Sequence, residues 1–367
     1  MTPIKVHLIA AARPNFMKIA PLYHELRRHA WCRPVLVHTG QHYDANMSDA
    51  FFRDLMLPEP DHHLNVGSGS HAEQTGGVMI AYEKICAKDR PDWIIVVGDV
   101  NSTAACAMVG AKLCIPVAHL EAGLRSGDRR MPEEINRLVT DAISDVLWTP
   151  SHDADENLQR EGASPERIEC VGNIMIDSYE MLRPRIAEAN LVGELGLRAG
   201  DYAIVTLHRP SNVDQKETLS LLFVALGLIA EKLKVVFPIH PRTRQRAKDF
   251  GLLPQFEGSA NIRLLEPLGY IQFMNLVQNA RVVITDSGGV QEETTYLGIP
   301  CLTLRENTER PVTVTLGTNR LIKAEQLDAA VAAVPVRREA TTPPPLWDGR
   351  TAGRVAESLR RRAGITA

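Results

Sequence analysis

Residues 119–137, HLEAGLRSGDRRMPEEINR, join a predicted strand to the start of a predicted helix. The apolar run at residues 115–120 predicts a short buried strand that ends just before Glu121. Ligands of open parallel sheets bind outside the carboxyl ends of the strands, so Glu121 is expected to point into a binding crevice. Pro132 favours a helix start, and Glu133 falls in the electropositive first turn of that helix. This unit is typical of an α/β fold with a site at one edge of its sheet.

A second acidic residue, Asp99, follows the apolar run DWIIVV and is expected beside Glu121. Two carboxylates at neighbouring strand ends repel each other unless a cation or a shared proton intervenes, and active sites often hold such strain. Arg13, Arg137 or a histidine is expected to intervene. A simpler interpretation remains open, because Glu133 and Arg137 are spaced for an exposed helical ion pair and aspartate is a common helix cap.

Two cations follow the first predicted strand, which covers residues 4–11. A turn is predicted at residues 12–15 and a helix from about Phe16. Arg13 lies at the carboxyl end of the strand and Lys18 lies one turn into the helix, so both are placed to face an anion. Two solvated cations are the alternative.

The second half of the chain again alternates apolar runs with helical stretches. This pattern predicts an α/β fold of two Rossmann-like domains, each a doubly wound parallel sheet, facing each other across a cleft. Residues 1–172 plus 350–367 are predicted to form the N-terminal domain with the acidic residues, and residues 173–349 the C-terminal domain. The basic last helix is expected to cross back to the first domain.

Composition excludes several classes of protein. The net charge of −3 in 367 residues provides no electrostatic footprint for nucleic acid. The six cysteines form no CxxC pair, which argues against a disulfide framework or a zinc site, so no metal is expected. No apolar run reaches about 18 residues, so a cytoplasmic protein without membrane contact is expected. Residues 67–72 formally fit GxGxxA but do not follow the first strand, so a nicotinamide cofactor is not expected.

Polar groups also follow the strands predicted in the second half. His208 is a base-capable imidazole at one strand end, and His240 closes the next strand, where a purely structural role is the simpler interpretation. The segment TDSGGVQEE combines a strand end, a small-residue turn and a helix start, which together favour binding of a phosphate. Glu293, one turn into that helix, suits the hydroxyls of a ribose, and Arg310 follows the next strand.

Taken together, seven segments resemble the non-hydrolysing UDP-N-acetylglucosamine 2-epimerase family along nearly the whole chain. In order, they are ARPNFMK, GDVNST, HLEAGLR, PEEINR, HRPSN, TDSGGVQEE and RENTERP. The resemblance implies a GT-B-like fold, a UDP-sugar substrate bound between two domains, no cofactor and a homodimer. It also implies a role in supplying precursors for bacterial surface polysaccharide.

The resemblance assigns roles to individual residues. The residues that match the family's catalytic positions are Asp99, Glu121, Glu133, Arg137 and His208. Those that match its substrate-binding positions are Arg13, Lys18, Phe273, Ser287, Gly288, Gly289, Glu293 and Arg310. Gln41, Arg209 and His240 match a second site at which many bacterial members bind an activating UDP-sugar, although Pro210 and Asp44 depart from the pattern there.

The reaction explains why carboxylates and cations are needed. The C2 proton of a pyranose glycoside is not acidified by a carbonyl, so inversion requires either oxidation or loss of the anomeric group. Loss of UDP makes the C2 proton removable and produces 2-acetamidoglucal, and re-addition of UDP with protonation from the other face completes the inversion. Asp99, Glu121 and Glu133 are jointly expected to transfer protons and to stabilise the oxocarbenium-like carbon, while arginine and histidine stabilise the leaving group.

Four alternatives remain open from the sequence. In the first, the protein epimerises another UDP-sugar such as a 2,3-diacetamido uronate. In the second, it is a hydrolysing relative that releases free N-acetylmannosamine and UDP. A GT-B glycosyltransferase would share the phosphate-binding segment, and a catalytically silent protein would bind UDP-sugar without turnover.

Overall fold

The computed structural model describes residues 2–11, 13–40, 52, 54–337 and 340–366, and for Arg13 and Gln255 it describes the backbone alone. The chain forms two compact units. The first contains Met1–Met181 and Pro345–Ala367, and the second contains Leu182–Pro344. Each unit is built on one parallel sheet with intervening helices, which confirms the predicted α/β class.

The first unit has a seven-stranded sheet in the order β3-β2-β1-β4-β5-β6-β7. Its strands are β1 (Ile4–Ala10), β2 (Cys32–His38), β3 (His62–His63), β4 (Trp93–Val97), β5 (Val117–Leu120), β6 (Val146–Thr149) and β7 (Ile168–Cys170). The helices up to the chain's passage into the second unit are α1 (Arg13–Arg27), α2 (His71–Lys88), α3 (Asn101–Lys112), α4 (Pro132–Ile143), α5 (His152–Arg160) and α6 (Ile174–Glu188). All five residues of β4 are buried, as expected for a central parallel strand covered on both faces.

The second unit has a six-stranded sheet in the order β10-β9-β8-β11-β12-β13. Its strands are β8 (Tyr202–Thr206), β9 (Lys234–Pro238), β10 (Ile262–Leu265), β11 (Val282–Thr285), β12 (Cys301–Thr303) and β13 (Asn319–Leu321). Its helices are α7 (Leu191–Glu194), α8 (Pro210–Val213), α9 (Lys216–Ala230), α10 (Pro241–Asp249), α11 (Pro254–Glu257), α12 (Tyr270–Asn279), α13 (Gly288–Leu297), α14 (Val312–Thr315) and α15 (Leu327–Ala332). The longest of them, α9, packs an almost wholly apolar face on the core.

The last helix, α16 (Thr351–Arg362), belongs to the first unit and packs against α1, as the sequence predicted. The buried Asp177 carboxylate accepts hydrogen bonds from the first two backbone N–H groups of α16. The indole nitrogen of Trp148, a fully buried residue of β6, donates to Ser358 on α16 at 2.9 Å. The C-terminal helix therefore completes the core of the unit in which the chain begins.

Two details differ from the sequence prediction. The helix predicted from about Phe16 begins at Arg13 instead, because a proline such as Pro14 is well tolerated in the first turn of a helix. The short strands β3, β6 and β13 were not predicted. Among the described helices, none is long and apolar enough to cross a membrane.

Candidate active site

In the first unit, two carboxylates follow the ends of neighbouring strands, and each is paired with a cation. Val97 of β4 lies beside Leu120 of β5, so Asp99 and Glu121 follow adjacent strand ends, as predicted. Arg137 on α4 forms an ion pair and hydrogen bond with Asp99, and Lys18 on α1 forms the same kind of contact with Glu121. The two cations reduce the repulsion expected between the carboxylates.

Glu121 combines three features that are unusual in a structural residue. Its φ of 72° lies in the left-handed region, which is uncommon outside glycine and concentrated at functional sites. It is only 4% exposed, and its Oε2 is held by Lys18. Its Oε1 is buried and has no hydrogen-bond partner among the described residues. A desolvated carboxylate oxygen without a partner is a suitable acceptor for a substrate proton.

Glycine at position 98 makes room for this pair. Gly98 has a φ of 69°, and a β-carbon there would lie 3.1 Å from Lys18 Nζ and 3.4 Å from Glu121 Oε2. A side chain would therefore push on both charged groups and would also strain the backbone.

The helix α4 presents a buried polar stripe that holds Arg137 in place. Glu134 is 2% exposed, and its carboxylate accepts from the Arg137 guanidinium and from the backbone N–H groups of Ser126 and Gly127. Burial acts to raise the pKa of the Glu134 carboxyl, but these donors outweigh it and lower the pKa. Glu133, the residue singled out from the sequence, is exposed. Arg137 thus pairs with Glu134 and Asp99, and the ion pair suggested by the spacing of Glu133 and Arg137 is not the arrangement found.

Behind the strand ends lies a buried network that the sequence analysis did not identify. His119 Nδ1 lies 2.6 Å from Asp141 Oδ1, and His119 Nε2 lies 2.8 Å from the Gly98 carbonyl oxygen. Asp141 Oδ2 also binds the guanidinium of Arg125 at 2.7 Å and accepts from the Gly123 N–H. Burial acts to raise the pKa of the Asp141 carboxyl, but His119 and Arg125 outweigh it and lower the pKa. The network positions the loop that carries Glu121.

In the second unit, His208 is oriented by a buried carboxylate. Asp286, at the end of β11, is fully buried and lies 2.9 Å from His208 Nδ1. It also accepts from the backbone N–H groups of His208 and Arg209 and from the Asn212 side chain. Burial acts to raise the pKa of the Asp286 carboxyl, but His208 and the other donors outweigh it and lower the pKa. Asp286 belongs to the segment TDSGGVQEE, but its contact with His208 depends on the tertiary structure and could not be predicted from the sequence.

The predicted phosphate-binding segment forms the start of α13, with Ser287 at the N-cap position. The first N–H groups of a helix have no partner within it and favour an anion. A β-carbon on Gly288 would lie only 2.7 Å from the Arg310 guanidinium and 2.8 Å from Glu309 Oε1, so a side chain here would displace this ion pair. Arg310 is itself held by two carboxylates, Glu309 at 2.6 Å and Glu292 at 2.9 Å.

Glu293 is buried in the same helix, and its environment favours the protonated form. Burial raises the pKa of its carboxyl to about 8, while a hydrogen bond with the Tyr270 hydroxyl opposes this shift and the neighbouring Glu292 adds to it. At neutral pH the free protein therefore holds Glu293 largely as the acid. Phe273 ends the segment 268–273, which resembles the family's uracil-binding segment, and it is half-buried on α12.

The residues of the predicted activator site are only partly described. The rings of His208 and His240 lie 5.7 Å apart between centroids, and Arg209 Nε donates to the Asp286 carbonyl at 3.0 Å. His240 Nδ1 also accepts from the Arg242 N–H at the start of α10, which is the structural role weighed for it. Gln41 lies outside the described residues, so the second site stays a prediction. The side chain of Arg13, which was predicted to bind substrate, also lies outside them.

Known proteins resemble this chain along nearly its whole length. The sequence profile of the family described as UDP-N-acetylglucosamine 2-epimerase matches residues 24–360. A UDP-N-acetylglucosamine 2-epimerase of Methanocaldococcus jannaschii is 42% identical over 366 residues, which is 97% of this chain and 99% of that protein. A UDP-2,3-diacetamido-2,3-dideoxy-D-glucuronate 2-epimerase of Pseudomonas aeruginosa is 39% identical over 325 residues, which is 88% of this chain and 89% of that protein.

A solved structure agrees with these matches. The crystal structure of the Methanocaldococcus jannaschii UDP-GlcNAc 2-epimerase in complex with UDP-GlcNAc and UDP aligns with a TM-score of 0.88 at 41% identity. The alignment covers 98% of this chain and 100% of that one, so the similarity includes both units.

Proposed function

The chain belongs to the UDP-N-acetylglucosamine 2-epimerase family, and we propose that it interconverts UDP-N-acetylglucosamine and UDP-N-acetylmannosamine without hydrolysing either. The observation that carries the proposal is Glu121, a buried carboxylate in a left-handed conformation with one oxygen on Lys18 and the other without a partner among the described residues. Asp99, with Arg137, follows the neighbouring strand and supplies a second acid–base group.

The proposed reaction proceeds through loss and return of UDP. The bond between C1 and the diphosphate oxygen breaks, and its electrons leave with UDP. A carboxylate then removes the C2 proton, and the electrons of that C–H bond form the C1–C2 double bond of 2-acetamidoglucal. In the return step, C2 takes a proton from the opposite face while the diphosphate oxygen adds to C1. Asp99, Glu121 and Glu133 jointly supply the proton transfers, and their division between the two faces stays open.

The second unit supplies the groups suited to UDP. The start of α13 offers backbone N–H groups to the diphosphate, and Arg310 beside Gly288 supplies a guanidinium that matches phosphate geometry. His208, oriented by Asp286, donates to the departing diphosphate and so stabilises its charge. Phe273 is assigned to the uracil ring and Glu293 to the ribose.

Incubation in D₂O provides the decisive test. Purified protein without added nicotinamide or metal is expected to convert UDP-N-acetylglucosamine into its C2 epimer with deuterium at C2, followed by proton NMR. The deuterium follows from the carboxylates, which exchange the removed proton with solvent. Small amounts of UDP and 2-acetamidoglucal are expected to accumulate during long incubation, because the glycal is the intermediate.

Each other outcome of this test identifies a different activity. Free N-acetylmannosamine would indicate a hydrolysing enzyme, and binding without exchange would indicate a glycosyltransferase or a UDP-sugar sensor. The 39% identity to the 2,3-diacetamido uronate epimerase favours a second candidate substrate. Turnover of that uronate but not of UDP-N-acetylglucosamine would show that the reaction is correct and the substrate wrong.

UDP binding is expected to depend on pH through Glu293. Ribose hydroxyls donate to a carboxylate, so the ionised form of Glu293 binds UDP better than the acid. Binding should therefore lower the raised pKa of the Glu293 carboxyl and release a proton below about pH 8. Affinity for UDP should therefore rise with pH up to about pH 8, by at most about tenfold per pH unit, and then level off. Calorimetry in two buffers of different ionisation enthalpy measures both the affinity and the proton release.

Glu293→Gln is the matched control, since glutamine keeps the shape and cannot ionise. The variant should bind UDP more weakly, and any remaining pH dependence should be that of UDP itself. Identical profiles in the two proteins would remove Glu293 from the nucleotide site.

A further inference from the structure

A second cluster of polar side chains lies in the first unit, away from the strand ends that carry Asp99 and Glu121. It consists of His7 on β1, His62 on β3 and Asp89, the residue that caps the carboxyl end of α2. His7 is the middle residue of β1, and Lys5 of the same strand also bonds to Asp89. The proposed epimerase chemistry uses none of these residues.

His7 has one ring nitrogen engaged and the other without a partner. The residue is fully buried, and its Nδ1 lies 3.1 Å from the hydroxyl of Tyr82, which is also fully buried. Its Nε2 is buried without a hydrogen-bond partner among the described residues, and it lies 3.8 Å from Asp89 Oδ2, too far for a hydrogen bond. A buried polar atom left in this state is costly in an ordinary core.

The contact with Tyr82 is compatible with the His7 tautomer that can bind a metal. The Tyr82 hydroxyl oxygen lies 3.1 Å from His7 Nδ1 and can accept its proton, and in that tautomer Nε2 carries a lone pair, 3.8 Å from Asp89 Oδ2. Metal-bound histidines commonly donate their other ring N–H to an oxygen in this way.

The ligand atoms have separations suited to one small cation. All three lie within 4.8 Å of one another, with His62 Nε2 at 3.0 Å and His7 Nε2 at 3.8 Å from the same Asp89 oxygen. Tetrahedral zinc with bonds of about 2.0–2.1 Å holds its ligands roughly 3.3 Å apart. The two distances from Asp89 Oδ2 lie on either side of this ligand separation. Shifts of a few tenths of an ångström in the side chains would bring both distances to the separation that zinc requires.

The surroundings of the cluster suit an open site with a route for entry. Lys5 bonds to Asp89 Oδ1, whereas Oδ2 is hydrogen-bonded to His62 Nε2 at 3.0 Å, a contact that a metal ion between the two atoms would replace. The side chains of His62 and Asp89 are 24% and 31% exposed, so an ion can reach them from solvent. Two histidines and one carboxylate are a frequent ligand set for divalent transition metals, with the remaining positions taken by water.

We propose that His7, His62 and Asp89 form a binding site for a divalent transition metal, with Zn²⁺ the best match. The ligands come from three separated segments and form no short motif, so the sequence alone does not predict a metal site here. The bound ion stabilises the junction of β1, β3 and α2, and the epimerase reaction does not require it.

Cobalt provides a spectroscopic test of the site. The full chain, purified without a histidine tag and stripped with a chelator, is titrated with Co²⁺ as the probe. We expect visible absorption bands that saturate at one Co²⁺ per chain and disappear on addition of Zn²⁺. His62→Ala and Asp89→Asn should each weaken binding by at least about 10-fold, since even loss of an outer-shell partner costs 10–100-fold.

A matched control separates this site from surface histidines. His63→Ala removes the next residue of the same strand, which is exposed and points to the other face, and should leave Co²⁺ binding unchanged. His152, Asp155 and Cys170 form a second group of potential ligands, so Cys170→Ala is titrated in parallel. The proposal is overturned if no saturable spectrum appears, if His62→Ala binds like the unmodified chain, or if Cys170→Ala removes the spectrum.

Discussion

Glu121→Gln is expected to lower the rate of C2 hydrogen exchange by roughly 10²–10⁴-fold, which is the contribution of one general acid–base group. Glutamine has the same shape, so it can keep the position beside Lys18 and Gly98, but its amide cannot accept the substrate proton. The rate is measured as deuterium incorporation into the UDP-sugar by proton NMR, with saturating substrate. Affinity for UDP should change little, because the groups assigned to uracil, ribose and the start of α13 belong to the second unit and Lys18 is unchanged in the variant.

Glu83→Gln provides a control for the loss of one negative charge, since Glu83 is an exposed residue of α2 in the same unit. It should exchange C2 hydrogen at the rate of the unmodified protein. A Glu121→Gln protein that binds UDP normally and keeps its exchange rate within about twofold would show that another group removes the proton. The assignment would then pass to Asp99 or Glu133.

Asp141→Ala is expected to destabilise the first unit by about 3–5 kcal/mol, the cost of removing one partner from a buried ion pair. Asp141 is 3% exposed, and it contacts both the fully buried His119 and the guanidinium of Arg125. Its loss leaves His119 buried without its carboxylate, leaves Arg125 with Glu161 alone and frees the Gly123 N–H. The shift of the urea midpoint measures the effect, followed through far-UV circular dichroism.

Glu161→Ala is the matched control, because Glu161 is the other carboxylate on Arg125 but its side chain is 39% exposed. Exposed ion pairs contribute about 0–1 kcal/mol, so this variant should unfold close to the unmodified protein. Equal, small shifts for both variants would contradict the view that the Asp141 network is a major support of the loop that carries Glu121.

The main features of the fold were readable from the sequence because they depend on local periodicity. The apolar runs that became β4, β5, β8, β10 and β11 are four to five residues long and stand between polar turns, so they were recognised with nearly correct bounds. In a parallel sheet the carboxyl ends of all strands lie at the same edge of the sheet. This rule predicted that Asp99 and Glu121, which follow two such ends, are neighbours. It also identified His208 and the glycine pair that begins α13 as strand-end groups.

The pairing of charges was decided only by the tertiary structure. Spacing along α4 suggested a Glu133–Arg137 pair, yet the buried stripe of that helix contains Glu134, Arg137, Thr140 and Asp141. Sequence patterns locate the buried side of a helix from its apolar residues. The buried side of α4 is polar instead, because it carries the side chains that pair with the strand-end carboxylates. The rotation of α4 against α3 and the sheet therefore could not be derived from periodicity.

The sequence by itself determined the α/β class, the order of the strand-end motifs and most of the residues now assigned to the reaction, because each of these depends on neighbours along the chain. Tertiary structure decided that Lys18 holds Glu121, that Asp286 orients His208, and that His7, His62 and Asp89 meet. These contacts join segments far apart in sequence. Their physical cause is close packing, which fixes the distances between side chains that no local pattern encodes.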